Sequence, residues 1–182
     1  MTRLLRAMLA LLFGLALLAP AATAAQAAPY CGITWGSQPK HAGTTAGQEY
    51  LTGIRAGRHA CFDRLVLDVR GGRISGFDVR YAPVATEGQG RPIPLRGAGD
   101  LRVIADVHAT TPGGRVTYAP AHPNEAVDVA GFRTFRQVAW GGSFEGVSVV
   151  GLGVRARLPF RAFVTNGPGD TSRLVVDVAH RW

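Results

Sequence analysis

A repeated six-residue segment constrains the fold of this chain more than any other feature. Residues 64–69 read RLVLDV and residues 173–178 read RLVVDV, so the two copies differ by one exchange of Leu for Val. Because side chains alternate between the two faces of a strand, the aliphatic and charged positions separate in both copies. The inward face would carry Leu65, Leu67 and Val69 in one copy, and Leu174, Val176 and Val178 in the other. The repeat therefore predicts two equivalent, half-buried β-strands of one domain.

The charged positions of the repeat are too far apart to pair within one strand. Arg64 and Asp68 are four residues apart, as are Arg173 and Asp177, and this spacing spans roughly 13 Å in an extended chain. Their partners must then lie on neighbouring strands or in turns. We interpret these four residues as structural charges that organise a sheet edge, with a ligand-binding role as the alternative.

The same two-residue alternation recurs in the segments 76–83, 100–109 and 159–165. No window of helical length shows a clean 3.6-residue period, although a short helical turn is expected near 125–129. Glycine and proline at 70–73, 111–115 and 166–170 predict hairpin turns. The chain is therefore expected to be all-β, folded as an antiparallel sandwich or barrel.

The first 28 residues have the pattern of a secretory signal peptide. Arg3 and Arg6 precede an apolar run to about Leu18, which small residues follow. The run is shorter than the ~20 residues that a membrane span needs, so we expect an extracytoplasmic protein without a stable membrane anchor. Removing residues 1–28 takes away two arginines and lowers the formal charge from +8 to +6. We divide the rest into an N-terminal arm, 29–48, and one domain, 49–182, with a Pro/Gly-rich surface loop at 82–99.

Two cysteines remain after this removal, Cys31 and Cys61. An even number of cysteines in an exported chain predicts a disulfide, which would tie the arm to the first repeated strand. There is no C-x-x-C motif or second cluster that would complete a metal site, so no metal or cofactor is expected.

A basic exported protein is expected to meet anionic partners. Arginine forks suit carboxylate and phosphate oxygens, and export makes nucleic acid a poor partner. A tryptophan could add a stacking platform for a sugar ring, with core packing as its alternative role. The candidate binding residues, expected to form one basic face, are Arg55, Arg58, His59, Arg155, Arg157 and Arg161, with Trp140 as the platform.

The chain lacks the usual signatures of an enzyme. Ser143 has no glycine two residues later, so the nucleophile-elbow pattern fails. The five histidines are dispersed and are interpreted as surface residues rather than ligands. Glu145 is the best isolated acid, but a glycan hydrolase needs a second carboxylate nearby. We therefore predict no catalytic residues and regard a glycan hydrolase as the least favoured function.

Three segments resemble the AMIN-like domains of exported actinobacterial proteins. These are LTGIRAGRHACFDRLVLDV (51–69), RQVAWGGSFEGVSVVGLGVRARLPF (136–160) and PFRAFVTNGPGDTSRLVVDV (159–178). The resemblance extends over 33–180 and implies a sandwich of two small antiparallel sheets with an internal pseudo-repeat. It also implies a targeting module that binds cell-wall peptidoglycan or places a wall amidase. Together with the basic charge and the missing enzyme signatures, this predicts a non-catalytic module that recognises peptidoglycan or an anionic wall polymer. The alternative is a module that docks another secreted protein through a sheet edge.

Overall fold

The computed structural model describes residues 29–43 and 47–182, so the signal peptide predicted at 1–28 lies outside the described residues. Within them the only helical element is a 3-10 turn at Pro123–Glu125, slightly before the turn expected at 125–129. The all-β prediction is confirmed. The nine strands are β1 Lys40–Ala42, β2 Tyr50–Arg58, β3 Phe62–Arg70, β4 Phe77–Tyr81, β5 Gly99–Ala105, β6 Phe135–Phe144, β7 Val147–Val154, β8 Phe160–Asn166 and β9 Thr171–Ala179.

The strands form two antiparallel sheets, which confirms the predicted sandwich. One sheet has the order β1-β4-β5-β7-β6 and the other has the order β2-β3-β9-β8. The segment 166–170 joins β8 to β9 as a hairpin, as predicted. The hairpin predicted at 70–73 is wrong, because β3 and β4 belong to different sheets. Gly71 and Gly72 have positive φ values of 96° and 132°, and their N–H groups bond to the carbonyl of Asp170 rather than closing a hairpin.

The two copies of the repeat are the central strands of the four-stranded sheet. β3 and β9 pair antiparallel, with Leu65 opposite Val176 and Leu67 opposite Leu174. All the aliphatic residues predicted to face inward belong to the main core. The expectation that the charges organise a sheet edge is wrong, because β3 and β9 each have a neighbouring strand on both sides. Their charged side chains pair with residues of those neighbouring strands.

The segment predicted as a surface loop at 82–99 instead covers the outer face of the five-stranded sheet. Val84 and Ile93 are buried there against Ala139 and Val149, forming a second small core. Such close contact needs glycine on β7, since a Cβ at Gly153 would lie 2.2 Å from a backbone oxygen of the loop. The loop also ends one residue earlier than predicted, because Gly99 already belongs to β5.

The N-terminal arm is tied to the sandwich in three ways. Cys31 and Cys61 form the predicted disulfide, which is confirmed. Gly36 pairs with Phe160 at the start of β8, and β1 joins the five-stranded sheet beside β4.

Within the residues that the structure describes, no helix has the length and hydropathy to cross a membrane.

Candidate functional site

The charges of the repeat pair across the two central strands. Arg64 lies directly opposite Asp177 and donates from Nε and Nη2 to its two carboxylate oxygens, at 2.6 and 2.9 Å. Arg161 on β8 donates to the same carboxylate at 2.8 Å. The Asp177 side chain has no exposed surface, so these two guanidinium groups neutralise a fully buried charge. The hydrogen bonds that Arg64 donates to Asp177 raise the pKa of its guanidinium.

The second copy forms an equivalent but more open pair. Arg173 lies opposite Asp68 and donates to it from Nε at 3.3 Å. Arg55 on β2 donates to the same carboxylate at 2.7 and 3.1 Å. Asp68 keeps 31% of its side chain exposed. We call these six residues the arginine-aspartate network, which consists of Arg55, Arg64, Asp68, Arg161, Arg173 and Asp177.

Aromatic rings hold one end of this network in place. The Arg161 guanidinium lies over the rings of Trp35, Phe62 and Phe163, at 5.6, 5.5 and 5.1 Å from their centroids. Cation–π contacts of this kind stabilise an arginine in one orientation. Each guanidinium of the network therefore already faces a carboxylate that compensates its charge.

In the part of the chain that the structure describes, a different surface carries arginines without carboxylate partners. One end of the sandwich contains the last residues of β2, β7 and β9 and the first residues of β3, β6 and β8. Five exposed arginines lie in the chain segments there, and within 29–43 and 47–182 none of them forms an ion pair. We call this surface the basic end and define it by Arg58, Arg133, Arg155, Arg157 and Arg181.

The basic end contains a cavity of about 290 Å³. Arg58 and Arg133 contribute the positive charge, and the Arg58 guanidinium lies 6.0 Å from the centroid of the Phe132 ring. The complete lining is Arg58, His59, Ala60, Asp63, Gly131, Arg133 and His180. Two arginines and two imidazoles therefore surround this space, with a single carboxylate among them.

That carboxylate, Asp63, is fully buried and is already bound by N–H groups. Its Oδ2 accepts hydrogen bonds from the backbone N–H groups of Thr134 at 2.5 Å and Phe135 at 3.2 Å. Its Oδ1 lies 3.2 Å from Nε2 of His180, which is only 8% exposed. Nδ1 of His180 is buried and has no hydrogen-bond partner in the described part of the chain.

Sequence reasoning missed this Asp63–His180 pair and placed His180 on the surface, which is wrong. The two-residue alternation could have predicted this pair. Asp63 lies two residues before Leu65, the first inward-facing residue of one copy, and His180 lies two residues after Val178, the last inward-facing residue of the other copy. Both polar residues therefore point inward, at the place where the aliphatic core ends. An acid and an imidazole in the buried phase of two neighbouring strands predict a contact between them.

The structure divides the predicted basic face between two surfaces. Arg55 and Arg161 belong to the arginine-aspartate network, whereas Arg58, Arg155 and Arg157 belong to the basic end. Arg58 lies three positions after Arg55 on β2 and so faces the opposite side of the sheet. Arg155 donates to the backbone carbonyl of His180, and Arg157 lies over the ring of Tyr81 at 4.8 Å.

The remaining candidates have separate surroundings. His59 stacks on Phe62 with 4.5 Å between ring centroids and lines the cavity. Trp140 is half-buried, packs against the main core and meets Tyr118 edge to face at 5.1 Å. Glu145 is exposed in the turn between β6 and β7, at the end of the sandwich away from the cavity. No group of three or more potential metal ligands occurs within the described ranges.

Comparison with known proteins gives one match. The family model described as AMIN-like domain matches residues 49–180. A search of curated proteins gave no match, and neither did a search of solved structures. The matched region contains both copies of the repeat, the arginine-aspartate network and the cavity of the basic end. Since the family model covers well over half of the chain, the chain belongs to the AMIN-like domain family.

Proposed function

We propose that this protein is an exported, non-catalytic module that binds anionic cell-wall material through its basic end. Membership of the AMIN-like family suggests a cell-wall-associated module, and a disulfide is typical of proteins outside the cytoplasm. The observation that carries the proposal is the group of five exposed arginines at one end of the sandwich, which have no carboxylate partner among residues 29–43 and 47–182.

The physical basis is the contrast between free and occupied guanidinium groups. A guanidinium that already pairs with a carboxylate has its charge compensated and attracts a further anion more weakly, whereas the arginines of the basic end face no carboxylate among the residues that the structure describes. Arginine presents its N–H donors as a planar fork that fits carboxylate and phosphate oxygens. An anionic polymer could contact several such forks at once, so weak individual contacts would add up.

Trp140 is a weaker part of this proposal than the arginines. It lies several residues along β6 from the basic end and contributes to the core. We therefore assign binding to charge rather than to sugar stacking. Arg55 and Arg161, which the sequence predicts as binding residues, belong to the network, and we assign them a structural role.

Retention on purified cell wall tests the proposal. The chain from residue 29 should sediment with intact wall and should be released between 0.1 and 1 M salt, as the Debye length falls from about 10 to 3 Å. Wall stripped of its anionic polymers should retain less protein. Retention that is unaffected by salt and by stripping would contradict the proposal, and release of reducing sugar would indicate a hydrolase instead.

Charge-matched variants locate the binding surface. R133Q/R181Q removes two arginines of the basic end. R91Q/R115Q removes two exposed arginines from loops that pack near the other end of the sandwich. Both double variants lose the same charge, so a general effect of net charge would lower their retention equally. We expect reduced retention only for R133Q/R181Q, and equal retention would rule out the basic end as the site.

A further inference from the structure

β2 is an edge strand, so every second residue points its main-chain groups away from the sheet. The N–H of His59 donates to the carbonyl of Phe62, and this bond sets the alternation along the β2–β3 hairpin. Ile54, Ala56 and Arg58 therefore direct their N–H and C=O groups outward. Among the described residues, no hydrogen bond from another element reaches these groups.

The chain itself already pairs with the first part of this edge. Leu51 donates its N–H to the carbonyl of His108 at 2.8 Å, and His108 donates its own N–H to the carbonyl of Glu49 at 2.9 Å. These bonds form a short parallel bridge between Tyr50 and His108. The edge of β2 is thus able to accept an extended segment, and in the described part of the chain only 54–58 lacks one. We call residues 54–58 the open edge.

The charges on and around the open edge are mainly positive. β2 reads YLTGIRAGR, with two arginines and no acid. The side chain of Arg55 is 56% exposed, although it pairs with Asp68. Arg58 is exposed at the basic end, where it lines the cavity of about 290 Å³ together with Arg133. An acidic ligand complements this distribution of charge.

We propose that an extended acidic segment of another protein adds to the open edge as a further strand. In this mode of recognition the main-chain hydrogen bonds provide affinity and the alternate side chains provide specificity. The inference goes beyond the proposed function, because it concerns a protein partner and the main chain of β2 rather than wall material and exposed arginines.

The positions of the two arginines predict where the acids of the ligand lie. Arg55 and Arg58 are three positions apart, so their side chains lie on opposite faces of β2. In a docked strand the residues opposite them are also three positions apart, one on each face. One carboxylate would meet Arg55, and the other would meet Arg58 and Arg133 beside the cavity. The ligand is therefore expected to contain two acids separated by two residues.

A second copy of β2 is a poorer occupant of the same edge. Pairing two copies would bring four arginines together without an acid from either strand, and like charges on neighbouring strands are destabilising. Charged side chains on an exposed edge discourage such self-pairing. They leave the edge accessible to a strand of opposite charge.

A seven-residue peptide of valine and threonine, with two glutamates three positions apart, is the probe. Amide hydrogen exchange of the chain from residue 29 is measured with and without saturating peptide. The N–H groups of Ile54, Ala56 and Arg58 should exchange about tenfold more slowly or less with peptide bound, since they gain acceptors. Those of Arg55 and Gly57 should change little, because they already face β3. Protection without this alternation, or no binding at millimolar peptide, would overturn the proposal.

Proline substitutions on the two edges of the four-stranded sheet form a matched pair. Ala56 on β2 and Ala162 on β8 both point their N–H groups away from the neighbouring strand, so proline removes no ladder bond at either position. A56P should weaken peptide binding by about tenfold or more, whereas A162P should bind like the parent. Equal affinity of the two variants would overturn the assignment to β2. If A56P does not fold, the alternating protection in the parent decides the question.

Charge variants of the peptide and of the protein test the complementarity. The same peptide with lysines in place of the glutamates should bind about tenfold more weakly or worse. R58Q should weaken binding of the acidic peptide, whereas R115Q, which removes an exposed arginine from a loop, should not. Equal binding of the acidic and basic peptides would overturn the choice of an acidic partner.

Two further measurements separate this inference from its competitors. A dimer in sedimentation equilibrium that is lost in A56P would assign the edge to a second copy and overturn the acidic partner. Wall retention should be the same in A56P and in the parent. Wall retention without peptide binding would refute only this inference, whereas peptide binding without wall retention would refute only the proposed function.

Discussion

Replacing the buried aspartate of the repeat by asparagine should destabilise the protein far more than the same change in the other copy. Asp177 has no exposed side-chain surface and neutralises Arg64 and Arg161, whose side chains are 28% and 33% exposed. Asp68 is 31% exposed and pairs with Arg55, of which 56% is exposed, and with Arg173. D68N and D177N are therefore matched substitutions that differ mainly in burial.

The expected magnitudes follow from this difference in solvent screening. Removing one partner of a fully buried ion pair costs about 3–5 kcal/mol. Because both arginines of Asp177 are partly exposed, we expect D177N to cost about 2–4 kcal/mol. Exposed pairs contribute about 0–1 kcal/mol, so D68N should cost about 1 kcal/mol or less. For a domain of this size each kcal/mol lowers Tm by about 2–4 °C.

Urea denaturation followed by circular dichroism would measure both values. The midpoint should fall strongly in D177N and slightly in D68N, with the same m value, since neither change alters the surface exposed on unfolding. Wall retention at a temperature where both variants are folded should be unchanged, because the network is not the proposed binding site. Equal costs for the two variants, or a cost below about 1 kcal/mol for D177N, would refute the burial argument.

Three further predictions concern stability. C31S/C61S should lower the free energy of unfolding by about 3–4 kcal/mol in denaturation experiments, because the disulfide closes a loop with a sequence separation of 30 residues. Burial raises the pKa of both Tyr81 and Tyr118 to about 12. Their neutral forms therefore stabilise the fold fully below pH 10, and this contribution is lost between pH 10 and 12. Absorbance at 295 nm would show two tyrosines that ionise late, and Y81F and Y118F should each remove one of these late ionisations. G153A should cost about 1–3 kcal/mol and expose the 82–98 loop to limited proteolysis, since its Cβ would clash with backbone; loop cleavage as slow as in the parent would contradict this.

The sequence predicted the fold best where aliphatic side chains alternate with charged ones and the aliphatic face is buried. In the repeat, the two-residue period identified the inward aliphatic face of both β3 and β9. It also showed that Arg64 and Asp68 need partners on other strands, although it could not show that each copy supplies the partners of the other. That information depends on which strands are neighbours, and the pairing of β3 with β9 is non-local.

Three features of the structure differ from what the sequence predicts: the turn at Gly71 and Gly72, the packing of the segment 82–99, and the burial of His180. Gly71 and Gly72 marked a reversal of the chain correctly, but glycine does not indicate which sheet receives the next strand. Glycine and proline in 82–99 marked an irregular segment, but the buried Val84 and Ile93 within it fill a second core. Histidine is common on surfaces, but His180 directly follows β9 and continues the inward-facing phase of that strand.

The candidate site depended on tertiary structure more than the fold did. Arg55 and Arg58 are separated by only two residues, yet one joins a carboxylate network and the other borders a cavity. The sequence alone identified both as basic residues of a strand. The position of Asp68 beside Arg55 distinguishes these two arginines, and that position is a property of the tertiary structure.

An amide chemical-shift map of the ¹⁵N-labelled protein during titration with a soluble anionic wall polymer tests the central claim most directly. Binding at the basic end predicts shifts that cluster at 58–61, 131–134, 155–157 and 180–182. It predicts little change at 64–68 and 173–177, where the guanidinium groups are already paired. Shifts concentrated on those two central segments, or no shifts at a polymer concentration that retains the protein on wall, would contradict the account.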